Sequence, residues 1–347
     1  MMRIRFQLLV LILMLLINAA LAQPGSCKVD LPVGIIGTDG SLLEGLTAQD
    51  LTVYLHKKPL TIESVGSDAG PRRVLFILDT SRRLPVEARK AETALASYIL
   101  SKARPADSFA LLTARGAMRQ VRFEESRDVL VKAIQELAAD PKEQGKGRNI
   151  LDTMMEGIQW FGQPRIGDAI LMMADHLEET NEPNQYASRQ LSHTGPMQGL
   201  ATDHGPSFEG SSQAKFSTVF QTLADHRIRV FALQLGALKT NEALSGVYHA
   251  NDENLVGISV GSGGYMVLDP MDPFGAYVMT EARERDLQQK VFQLYGAIAK
   301  FYVLRVSAPT PLPRESWKLE LAKDLRRNTR ALYPQLFNPC SSEEARK

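Results

Sequence analysis

The sequence is poor in cysteine and tryptophan, with two of each, and neither sign of charge dominates it. With 40 basic and 39 acidic residues, the formal net charge is +1 at pH 7. Nucleic acids and anionic lipid surfaces attract proteins with a strong excess of positive charge, so this balance argues against either as the main partner. Beyond the amino terminus, no stretch of sequence is long and apolar enough to cross a membrane. A hydrophobic content of 44% is typical of a globular protein.

The first 22 residues have the organisation of a secretory signal peptide. Arg3 and Arg5 precede an apolar run over 8–17, and small residues follow up to Ala22. The run is shorter than the roughly 20 residues that a spanning helix needs, which favours cleavage over an uncleaved anchor. Removing the two arginines would change the net charge from +1 to −1. We therefore expect a mature protein without a membrane span that is secreted, periplasmic or in the cell envelope.

The two cysteines, Cys27 and Cys340, lie near opposite ends of the mature chain. In an oxidising compartment, a single disulfide bond between them is the first expectation. It is helped by the tendency of domain termini to lie close together. Two free thiols and a lipidated Cys27 are the alternatives. Lipidation ranks last, because the preceding segment, 24–26, is a poor match to a lipoprotein cleavage site.

Strands alternate with helices through the middle of the chain, which predicts βαβ units and a mostly parallel sheet. The segments 74–78 and 169–174 are entirely apolar, as strands buried on both faces are. We predict a doubly wound α/β domain over 71–300. The β-like segments 29–70 and 301–338 are expected to form a small flanking β unit, followed by a charged tail over 339–347.

The periodicity of apolar residues also predicts the individual elements. Strands are predicted at 33–36, 51–55, 60–65, 74–78, 109–113, 118–123, 169–174, 229–235, 265–268, 301–307 and 317–321. Helices are predicted at 86–103, 126–138, 150–161, 213–226, 252–259 and 281–299. A long polar stretch over 178–212 interrupts this alternation. Connections of that length are usually functional or disordered.

The apolar strand at 74–78 runs directly into Asp79-Thr80-Ser81. Open α/β sheets bind ligands at the carboxyl ends of their strands. With Gly45-Leu46-Thr47-x-x-Asp50 and Lys57-Lys58-Pro59 before it, the chain resembles a von Willebrand factor A-type (vWA) domain of the kind found in exported bacterial proteins. The resemblance covers roughly residues 30–310. It implies a Rossmann-like fold and a non-enzymatic, adhesion-type module that binds a protein partner.

The resemblance also implies a metal-ion-dependent adhesion site (MIDAS). In the family, an Asp-x-Ser-x-Ser motif, a Thr and a later Asp together hold a divalent cation, whose open position takes a carboxylate of the partner. Asp79 and Ser81 match the first two positions, Asn149 stands at the threonine position, and Asp175 stands at the last. Oxygen ligands of this kind suit Mg²⁺.

The match to the metal site is partial, because arginines replace two of its small residues. Arg83 stands in place of the second serine, and Arg148 replaces a glycine. A guanidinium repels a metal ion and pairs with carboxylates itself. The expectation is a degenerate site that holds no cofactor or binds Mg²⁺ weakly, with Arg83 or Arg148 taking the place of the cation. The same arginines favour an acidic protein partner.

Two other functional classes remain open at the level of sequence. The segment Gly257-x-Ser259-x-Gly261 matches the nucleophile motif of hydrolases, but that motif needs a strand before the serine and a helix after it. Here the predicted order is reversed, so Ser259 is expected near the end of a helix. A zinc-dependent enzyme using Asp175, His176 and Glu179 rests on no recognised spacing. A purely structural envelope component is the third possibility.

Overall fold

The computed structural model describes residues 26–38, 40–81, 84–116, 118–139, 148–174, 211–237, 250–270, 277–309 and 315–336. Within these ranges the chain forms twelve strands and six α-helices. The strands are β1 (Ser26–Gly37), β2 (Leu51–Leu55), β3 (Lys58–Asp68), β4 (Arg73–Asp79), β5 (Ser108–Ala114), β6 (Gln120–Val121), β7 (Ala169–Ala174), β8 (Arg229–Ala237), β9 (Met266–Pro270), β10 (Phe301–Pro309), β11 (Trp317–Leu321) and β12 (Thr329–Leu332). The helices are α1 (Val86–Lys102), α2 (Arg127–Ala139), α3 (Ile150–Trp160), α4 (Ser211–His226), α5 (Ala250–Gly261) and α6 (Glu281–Ala299).

The first sheet has the strand order β6-β5-β4-β7-β8-β9. All neighbouring strands run parallel except β5 and β6, which are antiparallel. Alternate residues of β4 enter opposite cores: Phe76 packs with α1, α2 and α6, and Ile77 packs with α3, α4 and α5. Because both faces of β4 are covered by helices, its residues from 74 to 78 form a continuous apolar run. The α/β class predicted from the sequence is confirmed.

The second sheet has the order β11-β2-β3-β10-β1-β12, and its neighbouring strands are antiparallel. Its strands come from before and after the α/β segment, so the two ends of the described chain meet in one sheet. This sheet has a core of its own, which includes Val33, Val53, Leu304 and Trp317. Alternating burial along β2 and β11 matches the period of two that one-sided strands show.

Most predicted elements are present with small shifts of their ends, and α6, β2, β7 and β11 have the predicted bounds. Strand β3 extends beyond its predicted end at 65 to Asp68, which pairs with Phe301. Strand β3 also begins two residues before its predicted start at 60. His56 and Lys57, with φ of 50° and 64°, form a two-residue hairpin turn, and β3 then begins at Lys58.

Strand β12 was not predicted from the sequence. It has only four residues, and one of these, Leu332, is buried. It pairs antiparallel with β1, which is far away in sequence, from Gly34 opposite Leu332 to Gly37 opposite Thr329. A strand of four residues is too short to show a clear periodicity in the sequence, so its place in the sheet depends on its pairing with β1.

Several predicted segments lie outside the described residues. They include the signal peptide at 1–22, the polar stretch from 178 to 210, and the tail at 339–347. Among the helices that the structure describes, none has the length and apolar character needed to cross a bilayer.

Candidate functional site

Asp79 is the last residue of β4, at the centre of the parallel sheet. It lies in register with Ala114, the last residue of β5. From β4 the chain goes to β5 on one side and later returns to β7 on the other, so β4 ends at a topological switch point. Ligands of open α/β sheets bind at such a point. We call this side of the sheet, where β4, β5, β7, β8 and β9 end, the carboxyl edge.

The carboxylate of Asp79 is completely buried and is held by donors on both oxygens. Oδ1 accepts a hydrogen bond from the backbone N–H of Ser81 at 2.9 Å. Oδ2 lies 2.5 Å from Nη2 of Arg115, and the two side chains are 0% and 1% exposed. The backbone N–H of Asp79 donates to Oε1 of Glu92, a buried residue of α1, at 3.3 Å. The structure therefore places a protein cation directly on the candidate metal ligand.

Arg115 is held in place through its backbone. Its φ is 61°, a left-handed conformation that is uncommon for a residue with a side chain. Its N–H donates to the carbonyl of Arg148 at 2.8 Å. The next residue, Gly116, lies so close to β4 that a Cβ there would be 2.1 Å from the carbonyl oxygen of Thr80. Only glycine fits at this contact, which seats the turn after β5 against the end of β4.

Ser81 places a buried hydroxyl group beside Asp79. The residue is 5% exposed, and its Oγ has no hydrogen-bond partner among the described residues. A buried polar atom without a partner costs free energy, so such an atom indicates a functional or structural reason for its retention. Of the predicted metal ligands, the structure brings Asp79 and Ser81 together.

Asn149 has a different role from the predicted one. It caps the amino terminus of α3: its Oδ1 accepts from the backbone N–H of Asp152 at 2.8 Å. Its Nδ2 donates to Oδ2 of Asp152 at 2.8 Å. The side-chain oxygen that would coordinate a metal is thus bonded to the helix, as in an ordinary N-cap.

The expectation that Arg148 supplies the cation at Asp79 is wrong. The guanidinium of Arg148 pairs with Glu156 of α3, and its side chain is 51% exposed. Only its backbone carbonyl reaches the site, through Arg115. The reason is local: Arg148 stands just before Asn149, the N-cap of α3, and its side chain reaches Glu156 on that helix.

The other predicted residues lie outside the described part of the chain. These are Asp175 and Arg83 of the metal site, with His176 and Glu179 of the zinc alternative. Within the described ranges, no three His, Cys, Asp or Glu side chains come together in a way that could hold a metal ion.

A second buried carboxylate at the carboxyl edge is also neutralised by an arginine. Asp269, near the end of β9, accepts from Nη2 of Arg283 at 2.9 Å and from the hydroxyl of Tyr277 at 2.6 Å. The guanidinium of Arg283 also lies 4.0 Å from the centre of the Tyr277 ring. Burial and the bond to Asp269 raise the pKa of the Tyr277 hydroxyl far above its usual value. Tyr277 therefore stays a neutral donor.

Sequence reasoning missed Arg115, Asp269, Tyr277 and Arg283. One usable signal was present for Arg115, because a residue that follows a neighbouring parallel strand ends up beside the residue that follows the first. The left-handed backbone that turns its side chain toward Asp79 has no signature in the sequence, since such conformations favour Gly, Asn and Asp.

Ser259 is placed in the last turn of α5, as predicted. It is 0% exposed, and its Oγ has no hydrogen-bond partner in the described chain. Its carbonyl accepts from the N–H of Gly264 at 2.8 Å and from the hydroxyl of Ser262 at 3.0 Å. A nucleophile must be reached by substrate and by a base. The burial of Ser259 in a helix contradicts the hydrolase alternative that uses it.

Cys27 is buried in the core of the second sheet, on β1 opposite Ala308 of β10. Cys340 lies outside the described residues.

No protein-family model and no curated protein matches the chain. Matching solved structures include the proximal thread matrix protein 1 (PTMP1) from the mussel byssus, at 11% identity and a TM-score of 0.42 over 70% of this chain and 50% of that chain. This chain thus spans about half the length of PTMP1, one structure of which has a zinc-occupied MIDAS motif.

Two bacterial structures also match. The von Willebrand factor type A protein from Catenulispora acidiphila is 10% identical, with a TM-score of 0.41 over 91% of this chain and 74% of that one. The conserved hypothetical protein BatB from Bacteroides thetaiotaomicron is 13% identical, with a TM-score of 0.38 over 64% of this chain and 98% of that one. A vWA protein is therefore among the similar structures, and at these identities the likeness concerns the fold alone.

Proposed function

We propose that the protein is a vWA-like, non-enzymatic binding module that recognises a protein partner at the carboxyl edge of its parallel sheet. The observation that carries the proposal is the position of Asp79, buried at the end of the central strand with donors on both carboxylate oxygens. This is the place where a doubly wound sheet binds its ligands. The arrangement there is that of a fixed platform rather than that of an acid, a base or a nucleophile.

The residues present at this edge fit a resident Mg²⁺ poorly. Mg²⁺ demands nearly octahedral oxygen coordination and retains several waters, so its ligands must be free and open to solvent. The carboxylate of Asp79 is paired with Arg115, and the amide oxygen of Asn149 is used by α3. We propose that Asp79, Ser81, Asn149 and Asp175 form a degenerate MIDAS, and that partner binding needs no metal.

The chemistry of the partner follows from the exposed groups near Asp79. The side chain of Arg148 is half exposed, and Met118, in the turn after β5, is 58% exposed. Arg82 and Arg83 follow the motif directly in the sequence. An exposed arginine and an exposed apolar side chain in the loops at this edge suit an acidic protein segment with a hydrophobic residue, since arginine pairs with carboxylates in a fork geometry. The polar stretch over 178–212 follows β7 and is proposed to widen this surface.

We also propose that 1–22 directs export and that Cys27 and Cys340 form a disulfide bond in an envelope or secreted protein. The burial of Cys27 in the second sheet supports a structural role for its sulfur. The arrangement of that sheet supports a flanking β unit, because segments from before and after the α/β domain pair in it and share one core.

The function is tested by photo-crosslinking the full chain in the cells that produce it. A photoreactive residue replaces Met118 at the carboxyl end of β5, and a matched control carries it at Ala106, an exposed position at the amino end of the same strand. We expect a discrete protein adduct from position 118 and none from position 106. The captured protein, once purified, should bind the wild-type chain equally well with EDTA or with Mg²⁺, and should bind Arg148→Glu more weakly.

Equal adducts from both positions would remove the carboxyl edge as the binding surface. Loss of binding in EDTA would show that the site needs a metal. Turnover of the captured protein by the purified chain would show an enzyme rather than a binding module.

A further inference from the structure

We infer that Arg115 is the resident cation of the site. Its guanidinium binds the carboxylate of Asp79 and takes the role that a divalent ion has where an Asp-x-Ser motif binds metal. The inference deepens the proposed function and rests on it only in taking the carboxyl edge as the binding site. It is tested on the purified chain, without any partner.

The charge of Asp79 is paired within the protein. Nη2 of Arg115 lies 2.5 Å from Oδ2, while Oδ1 is bonded to the N–H of Ser81. Both oxygens of the carboxylate therefore have donors from the protein, and the charge of Asp79 is neutralised inside the chain. A buried carboxylate is stable only with such a partner, since a buried charge without one is very costly.

The site around Asp79 is closed to solvent. The side chains of Asp79 and Arg115 are 0% and 1% exposed. A metal ion that takes a carboxylate from a partner must keep an open coordination position, and Mg²⁺ keeps several waters as well. A site closed to this degree does not meet that requirement, whereas a guanidinium needs neither water nor an open position.

The backbone around Arg115 is fixed in a conformation that directs its side chain. Arg115 has a left-handed φ of 61°, its N–H is bonded to the carbonyl of Arg148, and Gly116 allows the close contact with Thr80. A strained backbone persists only where the surrounding structure fixes it, and such residues cluster at functional sites. Here the strain belongs to the residue that supplies the positive charge.

Removing the guanidinium of Arg115 would leave two oxygen groups that suit a metal ion. Truncating Arg115 leaves the carboxylate of Asp79 beside the hydroxyl of Ser81, whose Oγ has no partner among the described residues. Both groups are hard oxygen donors, which suit Mg²⁺ and Mn²⁺. The space left by the guanidinium admits water and an ion. We therefore expect that an Arg115→Ala chain gains an affinity for a divalent cation that the wild type lacks.

The test uses Mn²⁺ as the probe, measured by electron paramagnetic resonance, together with the melting temperature in EDTA and in Mn²⁺. Wild type should show no saturable Mn²⁺ binding, and its melting temperature should not change between EDTA and Mn²⁺. Arg115→Ala should melt lower in EDTA, bind Mn²⁺ saturably, and recover several degrees on saturation, because a ligand that binds only the folded state stabilises it. Adding Asp79→Asn to Arg115→Ala should abolish the binding.

Saturable Mn²⁺ binding by wild type that Asp79→Asn removes would overturn the inference. So would a folded Arg115→Ala chain that binds no Mn²⁺. If Arg115→Ala does not fold, a cycle of Asp79→Asn, Arg115→Met and the double variant decides the matter. The double variant should melt higher than Arg115→Met, because it leaves no buried charge unpaired, and simple addition of the two losses would refute the pairing. A failed search for a partner would leave each of these outcomes unchanged.

Discussion

Arginines act as counter-ions for buried carboxylates throughout the α/β part of the described chain. Among the described residues, four aspartates whose side chains are at most 5% exposed pair with a guanidinium: Asp79 with Arg115, Asp107 with Arg104, Asp168 with Arg73, and Asp269 with Arg283. Buried ion pairs of this kind offset their desolvation only when the geometry is good and the remaining lone pairs are bonded. The pairing of Arg115 with Asp79 is thus one of several similar pairs. Asp79 and Asp269 lie near the carboxyl ends of their strands, whereas Asp107 and Asp168 lie just before the amino ends of β5 and β7.

Asp107 provides a prediction at this scale. It accepts from the N–H of Arg72 at 2.9 Å, from Nη2 of Arg104 at 2.8 Å and from the hydroxyl of Tyr295 at 2.5 Å. Burial opposes its ionisation, but the bonds from Arg104, Tyr295 and the Arg72 N–H outweigh burial and hold the pKa of Asp107 below its usual value. The folded state therefore keeps this carboxylate ionised at a pH where the unfolded chain binds a proton, so acid removes the stability that it contributes.

We expect Asp107→Asn to lower the free energy of unfolding at neutral pH by about 1.5–3 kcal/mol, the value of hydrogen bonds to a charged group. The difference from wild type should stay constant above about pH 5 and narrow as the pH falls below about 4. Urea unfolding across this range measures it. A difference that does not change with pH would show that the ionised form is not favoured by folding.

Residue identity at the site was predictable only in part. Asp79 and Ser81 could be found because a continuous apolar run ends directly at them. Arg115 could not, because its contact depends on a left-handed backbone and on the register between two strands. Asn149 occupied the expected position in the sequence, but the same amide that suits a metal also suits a helix cap.

At the scale of elements, the strands and helices with strong periodicity were predicted well. Strand β4 and β7 are apolar on both faces, and α6 has its apolar residues at helical spacing, so local sequence determines them. Strand β12 and the end of β3 were missed, because their pairing comes from β1 and β10 rather than from their own side chains. Tertiary pairing overrides weak local preference in such strands.

The cap of α3 gives the prediction at this scale. Asn149→Ala should destabilise the protein by about 1 kcal/mol, whereas Asn149→Asp and Asn149→Ser should be nearly neutral, as for other N-caps. Thr280→Ala is the matched control, because Thr280 caps α6 by accepting from the N–H of Arg283 at 3.2 Å. Chemical denaturation with and without Mg²⁺ measures both losses. A loss for Asn149→Ala that appears only in Mg²⁺ would instead identify the amide as a metal ligand.

At the scale of the whole molecule, one aromatic ring joins the two sheets. Phe301 begins β10 of the second sheet, and the guanidinium carbons of Arg229 and Arg72 lie 4.1 Å and 4.4 Å from its ring centre. Arg72 is bonded to the carbonyl and carboxylate of Asp68. Arg229 is 1% exposed, and its Nε and Nη1 have no hydrogen-bond partner among the described residues. Burial, with the charge of Arg72, lowers the pKa of Arg229 to about 9.

The two arginines should respond oppositely to replacement by methionine. Arg229→Met removes a buried charge that has no ion pair in the described part of the chain, and should stabilise the protein by about 1–4 kcal/mol at neutral pH. Arg72→Met breaks bonds to Asp68 and should destabilise the protein by about 1–3 kcal/mol.

The gain in stability from Arg229→Met should shrink above about pH 9, because Arg229 of the folded wild type then releases its proton while the unfolded chain still holds it. Urea unfolding at neutral and alkaline pH checks this, and destabilisation by Arg229→Met would show that stacking on Phe301 outweighs burial.

The general architecture could be predicted from the sequence, but the contact between Arg229 and Phe301 could not. Runs of β-like sequence before and after the α/β segment indicated that both would contribute strands. The burial of Arg229 depends on which elements meet at Phe301, and composition alone makes arginine a surface residue.

The pairing of β1 with β10 has a consequence for the order in which the chain is made. Strand β1 is synthesised before the whole α/β segment, yet it lies in the interior of its sheet between β10 and β12, which are synthesised after that segment. Until they emerge, β1 presents unpaired backbone groups and apolar side chains such as Val33 and Ile35, a combination prone to aggregation. A nascent chain that stalls before β10 therefore holds a complete α/β segment but an unfinished second sheet. Such a chain exposes an unpaired apolar strand until β10 and β12 have been synthesised.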